Sequence, residues 1–228
     1  MKQNLNSEIK GLIVSCQAEI GSPFNDDESV LNFAKCALMG GANGIRTAGL
    51  SRVSKILSEI DLPLIGLIKR EFQDGSVGIT IEEKDVLDLT KVGCKIISID
   101  GTVRRKSNMD GYSYIKYIKY CYPNICIMAD IATLYDAQMC EQAGADFISS
   151  TLNGYTPETK HCLNGSPNYL LIEQMLKYLK KPVIAEGRIS NPQQALDFIN
   201  NGCQAVVVGS AITRPQTIVQ DFVNKLNI

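Results

Sequence analysis

The feature that most constrains this chain is a repeated alternation. Short runs rich in Val, Ile and Ala take turns from end to end with longer segments of helical period. Eight runs read as strands: Gly11–Gln17, Gly44–Thr47, Pro63–Lys69, Cys94–Asp100, Ile125–Asp130, Phe147–Leu152, Pro182–Glu186 and Ala205–Gly209. They are almost continuously apolar, as strands buried on both faces of a parallel sheet must be. The intervening segments carry apolar residues at three- and four-residue spacing, such as Leu31, Ala34 and Leu38, or Ile172, Met175, Leu176 and Leu179. Four connections repeat a glycine just before a strand, at Gly41, Gly93, Gly144 and Gly202. Each stands where a helix must end, in a left-handed conformation that costs glycine little. Eight βα units without a linker predict an α/β chain closed into a (β/α)8 TIM barrel rather than an open doubly wound sheet. At 228 residues the chain is the size of one lean barrel, so a single domain over residues 1–228 is expected.

Composition narrows the partners. Charged residues make up 21% and the net charge is -1, so no basic stripe for nucleic acid is expected. No apolar run is long enough to span a membrane. The N-terminus is polar, and Leu12–Val14 is too short for a signal-peptide core, so the expected location is cytoplasmic. The eight cysteines are scattered with no C-x-x-C pair, and read as reduced thiols used as small core residues. A single histidine, His161, in a polar loop, cannot build the multi-histidine metal site of some barrel epimerases, so no metal is expected. Tyr112, Tyr114, Tyr117 and Tyr120 share a helical stretch and read as packing or surface.

In a barrel the active site gathers at the C-terminal ends of the strands. Here those ends carry Gln17, Arg46, Lys69, Asp100, Asp130, Thr151, Glu186 and Ser210. Such a ring of polar groups converging on one face is a site. Gly187-Arg188 and Gly209-Ser210 follow the seventh and eighth strands, with Arg214 shortly after. Loops at those two places, opening onto a helix, form the standard barrel phosphate site. Lys69 ends an apolar run in phase with Ile65 and Leu67, where burial and nearby arginines would lower its pKa toward neutrality. It is the candidate acid/base group, with a structural ion pair as the competing reading. Glu186 and Asp130 are open to that same competing reading, through Arg46 or Arg188.

Several segments together resemble bacterial N-acetylmannosamine-6-phosphate 2-epimerases. They are Ile13-Val14-Ser15-Cys16-Gln17, Gly41-Ala42-Asn43-Gly44-Ile45-Arg46 and Ile65-Gly66-Leu67-Ile68-Lys69-Arg70. They continue with Met128-Ala129-Asp130-Ile131-Ala132-Thr133, Thr151-Leu152-Asn153-Gly154-Tyr155-Thr156, Ile184-Ala185-Glu186-Gly187-Arg188-Ile189 and Val206 to Pro215. Two departures stand out: glycine at Gly101 where the family is expected to carry alanine, and Thr47-Ala48-Gly49 where it is expected to carry an alanine-asparagine pair. The resemblance implies a ribulose-phosphate-binding type of barrel and an isomerase of amino-sugar and sialic acid catabolism. It implies that Lys69 and Glu186 are catalytic, that Gln17, Arg46, Asp130 and Thr151 bind the sugar, and that Gly187, Arg188, Gly209, Ser210 and Arg214 surround its phosphate. It implies no cofactor, because inversion at one carbon involves neither redox change nor group transfer. The substrate would be a phosphorylated amino sugar, and a homodimer is compatible with this type of barrel. The competing readings are another cofactor-independent barrel isomerase or lyase acting on a different sugar phosphate, and a non-catalytic sugar-phosphate sensor.

Overall fold

The structure is a computed structural model that describes residues 9–72, 76–104, 109–162 and 166–226. In chain order it runs β1 (Gly11–Ser15), α1 (Asp27–Met39), β2 (Gly44–Ala48), α2 (Leu50–Glu59) and β3 (Leu64–Leu67). A hairpin follows, β4 (Lys69–Glu71) and β5 (Val77–Ile79), then α3 (Glu83–Lys91), β6 (Ile96–Asp100), α4 (Gly111–Cys121), β7 (Cys126–Asp130) and α5 (Leu134–Gln142). The chain continues through β8 (Phe147–Ser149), a 3-10 turn (Pro157–Cys162), α6 (Tyr169–Tyr178), β9 (Val183–Glu186), α7 (Pro192–Asn200) and β10 (Ala205–Val208). It ends with the short α8 (Ser210–Thr213) and α9 (Pro215–Leu226).

Eight strands close into a parallel barrel in the order β1-β2-β3-β6-β7-β8-β9-β10, with β10 pairing back on β1 at Gly11↔Ala205. The barrel is therefore the expected (β/α)8 fold. Its interior is packed by Ile9, Ile13, Ile65, Ile96, Cys126, Met128, Phe147, Ile184, Ala205 and Val207. A second core lies between the strands' outer faces and the helices, where Ile45, Ile97, Ile127 and Ile148 meet Leu31, Val53, Leu89 and Ile115. The four glycines that precede strands all have positive φ, from +82° at Gly41 to +110° at Gly202. Helix starts are equally local in origin: Thr133 and Asp136 form a reciprocal capping box on α5, and Asp26, Asp110 and Asn191 cap α1, α4 and α7. Among the described residues no helix is long and apolar enough to cross a membrane.

One strand departs from expectation. The third run ends in the barrel at Leu67 instead of continuing to Lys69. The Ile68 amide bonds to Thr80 Oγ1, 3.1 Å away, and its carbonyl accepts from the Thr80 amide at 2.7 Å. The chain thus leaves the barrel ladder and folds into the antiparallel β4–β5 hairpin, which pairs Lys69 with Ile79. Lys69 stands on this hairpin above the barrel mouth.

Candidate active site

A two-residue period delivers the site. In β1, β6, β7, β8, β9 and β10 the inward apolar residues Ile13, Ile96, Met128, Phe147, Ile184 and Val207 are followed two positions on by Ser15, Ser98, Asp130, Ser149, Glu186 and Gly209. The same phase reaches Gln17, Lys69 and Thr151, and in β2 it selects Arg46. Ser15, Gln17, Arg46, Lys69, Thr151, Glu186 and Gly209 line a cavity of about 720 Å3, a size typical of small-molecule sites, while Ser98 and Ser149 are buried. Gly187, Arg188, Ser210 and Arg214 line it too; of the residues expected at the site only the strand ends Asp100 and Asp130 do not, both being fully buried.

Asp130 is the anchor of a tight polar network. Arg46, 1% exposed, donates from Nη2 to Asp130 Oδ2 at 2.6 Å and from Nη1 to Oδ1 at 3.0 Å. Nη1 also reaches Glu186 Oε2 at 2.7 Å. Ser98 donates to Asp130 Oδ2 at 2.7 Å. Burial works against the charge of Arg46, but the two carboxyl groups more than offset it and raise its pKa. Thr151 Oγ1 lies 2.7 Å from Asp130 Oδ1, 2.8 Å from Glu186 Oε2 and 2.9 Å from Ser149 Oγ. A hydroxyl has one hydrogen to donate, so it serves one carboxylate only. The second short contact becomes a hydrogen bond when a carboxyl group carries a proton. Asp130 already accepts three other hydrogen bonds from Arg46 and Ser98, so Glu186 is the better holder of that proton. Burial, with the Asp130 charge adding to it against Arg46 and Thr151, pushes the Glu186 carboxyl up to about 7. Glu186 Oε1 has no protein partner among the described residues.

Lys69 differs from these groups in having no hydrogen-bond or ion-pair partner among the described residues. Its side chain is open to the water of the cavity, yet the surrounding walls desolvate its ammonium in part. That desolvation, helped by the positive charges of Arg46 and Arg214 and opposed by Glu186 and Glu19, lowers its pKa. Gln17 donates to Ser15 Oγ at 3.0 Å on the β1 side of the cavity.

The loops after β9 and β10 form the other end of the cavity. Gly187 has φ +113° and Arg188 φ +58°, a left-handed conformation uncommon for a residue with a side chain. Three bonds accompany that geometry. The Arg188 guanidinium donates to Ser166 O at 2.7 Å, Asn153 O at 2.8 Å and Asn153 Oδ1 at 3.2 Å. Arg188 thus joins the β9 loop to the loop after β8. Arg214 pairs with Glu19 at 2.7 Å. Thr213 donates to Ser15 O at 3.0 Å, which ties α8 to the end of β1.

Sequence reasoning left Ser98, Ser149 and Arg104 without a role. The two serines had a signal, since each stands on the inward phase of an apolar strand. Arg104 had none, because it lies four residues beyond a strand end, in a loop whose path no periodicity reports. Asp100 was noted as a strand end only. It is fully buried and held by Thr102 and Arg104. Burial, with Asp130 beside it in register, pushes its carboxyl up to about 6 against the pull of Arg104.

Residues 30–228 match the profile of a family provisionally described as N-acetylmannosamine-6-phosphate epimerase. A protein of Clostridioides difficile, provisionally named N-acetylmannosamine-6-phosphate 2-epimerase, is 42% identical over 223 residues, covering 97% of this chain and 98% of its own. A Listeria monocytogenes protein with the same provisional name is 38% identical over 228 residues, 99% of this chain and 96% of its own. The chain belongs to this epimerase family. The solved N-acetylmannosamine-6-phosphate 2-epimerase of Clostridium perfringens superposes with a TM-score of 0.89 at 35% identity, over 98% of this chain and 97% of that one. A thiamine phosphate pyrophosphorylase from Pyrococcus furiosus, at TM-score 0.59 and 16% identity over 96% of this chain and 98% of its own, shares the fold alone.

Proposed function

We propose that this epimerase-family chain, as a single barrel domain in the cytoplasm, interconverts N-acetylmannosamine 6-phosphate and N-acetylglucosamine 6-phosphate. The observation that carries the reading is geometric: one cavity holds a lysine whose side chain has no partner among the described residues and a buried carboxyl group, Glu186, bonded to Arg46 and Thr151. The reaction inverts C2, whose hydrogen becomes acidic only when the sugar ring opens and exposes a carbonyl. It therefore needs an acid–base pair for ring opening, a base for C2–H and stabilisation of an enediolate. Lys69 in its neutral form takes the C2 proton, and a proton then returns to the opposite face of C2, either from Lys69 after the intermediate turns or from a second group. Glu186 enters as an acid, supplying a proton toward the ring or carbonyl oxygen, and Arg46 and Thr151 hold it in place. Arg46, locked by Asp130, offers positive charge to the developing oxyanion. Gln17 orients the sugar. Gly187, Gly209 and Ser210 present backbone amides to the phosphate, with Arg214 as its charged partner and Arg188 shaping the loop. No cofactor enters these steps.

The same reading includes a homodimer. Helix α9 has no buried residue among those described, and Ile218, Val219, Phe222, Val223 and Leu226 are all exposed on it. That stripe supports a second copy as its cover.

The deciding experiment incubates the protein with N-acetylmannosamine 6-phosphate in heavy water and follows proton NMR. The expected result is the gluco epimer with deuterium at C2. In Lys69→Ala turnover falls by at least ~10^2-fold while the sugar phosphate still binds. Retained turnover within a few-fold removes Lys69 from the base role. Absence of both exchange and product in the wild type overturns the substrate, and other sugar phosphates are then screened.

A further inference from the structure

Arg104 lies outside the cavity lining, yet it joins several of the parts that form the wall. Its side chain is 8% exposed, and Nη2 pairs with the fully buried Asp100 at 3.1 Å. Asp100 is itself fixed at the end of β6: its Oδ1 accepts from the Thr102 amide at 2.9 Å and the Thr102 hydroxyl at 2.6 Å. Arg104 Nε donates to that same hydroxyl oxygen at 3.2 Å. From this seat the guanidinium reaches three places. Nη2 donates to Val77 O and Nη1 to Tyr155 O, each at 3.4 Å, and the guanidinium carbon lies 5.6 Å from the centre of the Phe72 ring. Phe72 directly follows β4 and Val77 opens β5, so Arg104 touches both arms of the hairpin that begins with Lys69. Val77 and Tyr155 face the cavity.

The hairpin depends on such contacts. Two strands of three residues each are not stable on their own. They lie in a separate sheet and have no pairing with the barrel ladder. On its outer side the hairpin is held by the fork of Arg70 on Asp85, with 2.6 and 2.9 Å bonds to α3. On its inner side Ile79 packs against Leu67, Ala132 and Leu152, and Arg104 adds the bond to Val77 O and the contact with the Phe72 ring. We infer that Arg104, seated on Asp100, is a positioning residue for Lys69: it fixes the hairpin over the barrel mouth and couples it to the loop carrying Tyr155. This rests on the reading of Lys69 as the C2 base. A planar guanidinium can meet a carboxylate, two carbonyls and a ring at once, whereas an ammonium serves as a single point charge.

The test compares wild type, Arg104→Ala, Arg104→Lys and the control Phe198→Leu, which perturbs the core under α7 away from the hairpin. Displacing a reacting group by about an ångström costs on the order of 10^2-fold, so Arg104→Ala is expected to lower kcat by ~10- to 100-fold. KM stays within about threefold, because the substrate's own anchors are untouched. Amide hydrogen exchange at Phe72 and Thr80, both hydrogen-bonded across the hairpin and its base, rises by ~10-fold or more, while Ile97 and Ile127 in the barrel keep their protection. Arg104→Lys, retaining the pair with Asp100, falls between. Phe198→Leu lowers Tm and leaves kcat intact. A folded Arg104→Ala with wild-type kcat, or with unchanged exchange at Phe72 and Thr80, overturns the proposal. So does a kcat loss that Phe198→Leu reproduces. If the wild type does not epimerise, the functional reading falls by itself, and exchange at the two amides alone decides whether Arg104 holds the hairpin.

Discussion

Glu186 and Lys69 share a cavity, and burial displaces their pKa values in opposite senses. The carboxyl rises to about 7 because its anion is poorly solvated beside Asp130, and the amine falls because its cation is. On the proposed mechanism the productive state has Glu186 protonated and Lys69 neutral, which is one proton shared over the pair. Activity therefore rises as the first proton leaves the pair, near pH 7, and falls as the second leaves. Glutamine cannot lose a proton. In Glu186→Gln the alkaline fall is expected to vanish, and the acid limb moves up to the pKa of Lys69 itself, at reduced kcat. A kcat/KM profile between about pH 5 and 10 reads this directly, and a Gln variant that keeps both limbs assigns the acid elsewhere. The residues that line the cavity were legible from the sequence because period-two phase and strand ends mark them. What joins them was legible in part: an ion pair of Asp130 and Glu186 with Arg46 stood as the competing reading, and the structure shows it. That one guanidinium meets both carboxyl groups, and that Thr151 stands between them, depends on residues up to 140 positions apart meeting at one end of the barrel.

The elements themselves follow from local rules, and the departures have local causes. The eight strands were legible from continuous apolar runs, and the helix ends from their glycines. The β4–β5 hairpin was not, since Lys69–Glu71 and Val77–Ile79 are too short to carry a period. The two places expected to depart from the family pattern have packing of their own. Thr47 donates its hydroxyl to Cys16 O at 2.7 Å, which adds a crosslink between β2 and the end of β1. A methyl group on Gly101 would lie 2.5 Å from Cys140 Sγ and 3.2 Å from Ile131 Cγ2, so glycine here makes room for a cysteine on α5. Gly101→Ala is expected to cost about 1–3 kcal/mol, as overpacking of a filled core does. In a Cys140→Ala background most of that cost disappears. Urea unfolding of the four proteins in a double-mutant cycle measures the coupling, and equal losses in both backgrounds would show that the sulfur is not the obstacle.

The outer surface poses the remaining problem for the whole molecule. A stripe at residues 218, 222 and 226, flanked by 219 and 223, reads in the sequence like the core face of an ordinary amphipathic helix. Hydrophobic period tells which face is apolar and not whether anything covers it, so no interface was legible before the structure. In the structure that face is bare, with Phe222 68% and Leu226 64% exposed. Single exposed apolar residues need no explanation, but a contiguous patch marks a contact surface. The patch lies on the last helix, and none of its five residues lines the cavity. Covering it with a second copy would remove apolar area from water without completing either active site. Sedimentation velocity is therefore expected to give a species at twice the 25.0 kDa chain mass. Phe222→Asp would place a charge in the middle of the stripe, where pairing with a second copy would desolvate it. That variant is expected to sediment as a monomer and to retain its turnover per site. A wild type that sediments as a monomer at micromolar concentration would leave the stripe without a second copy. A monomeric variant that loses turnover would mean that each barrel draws support for its site from its neighbour.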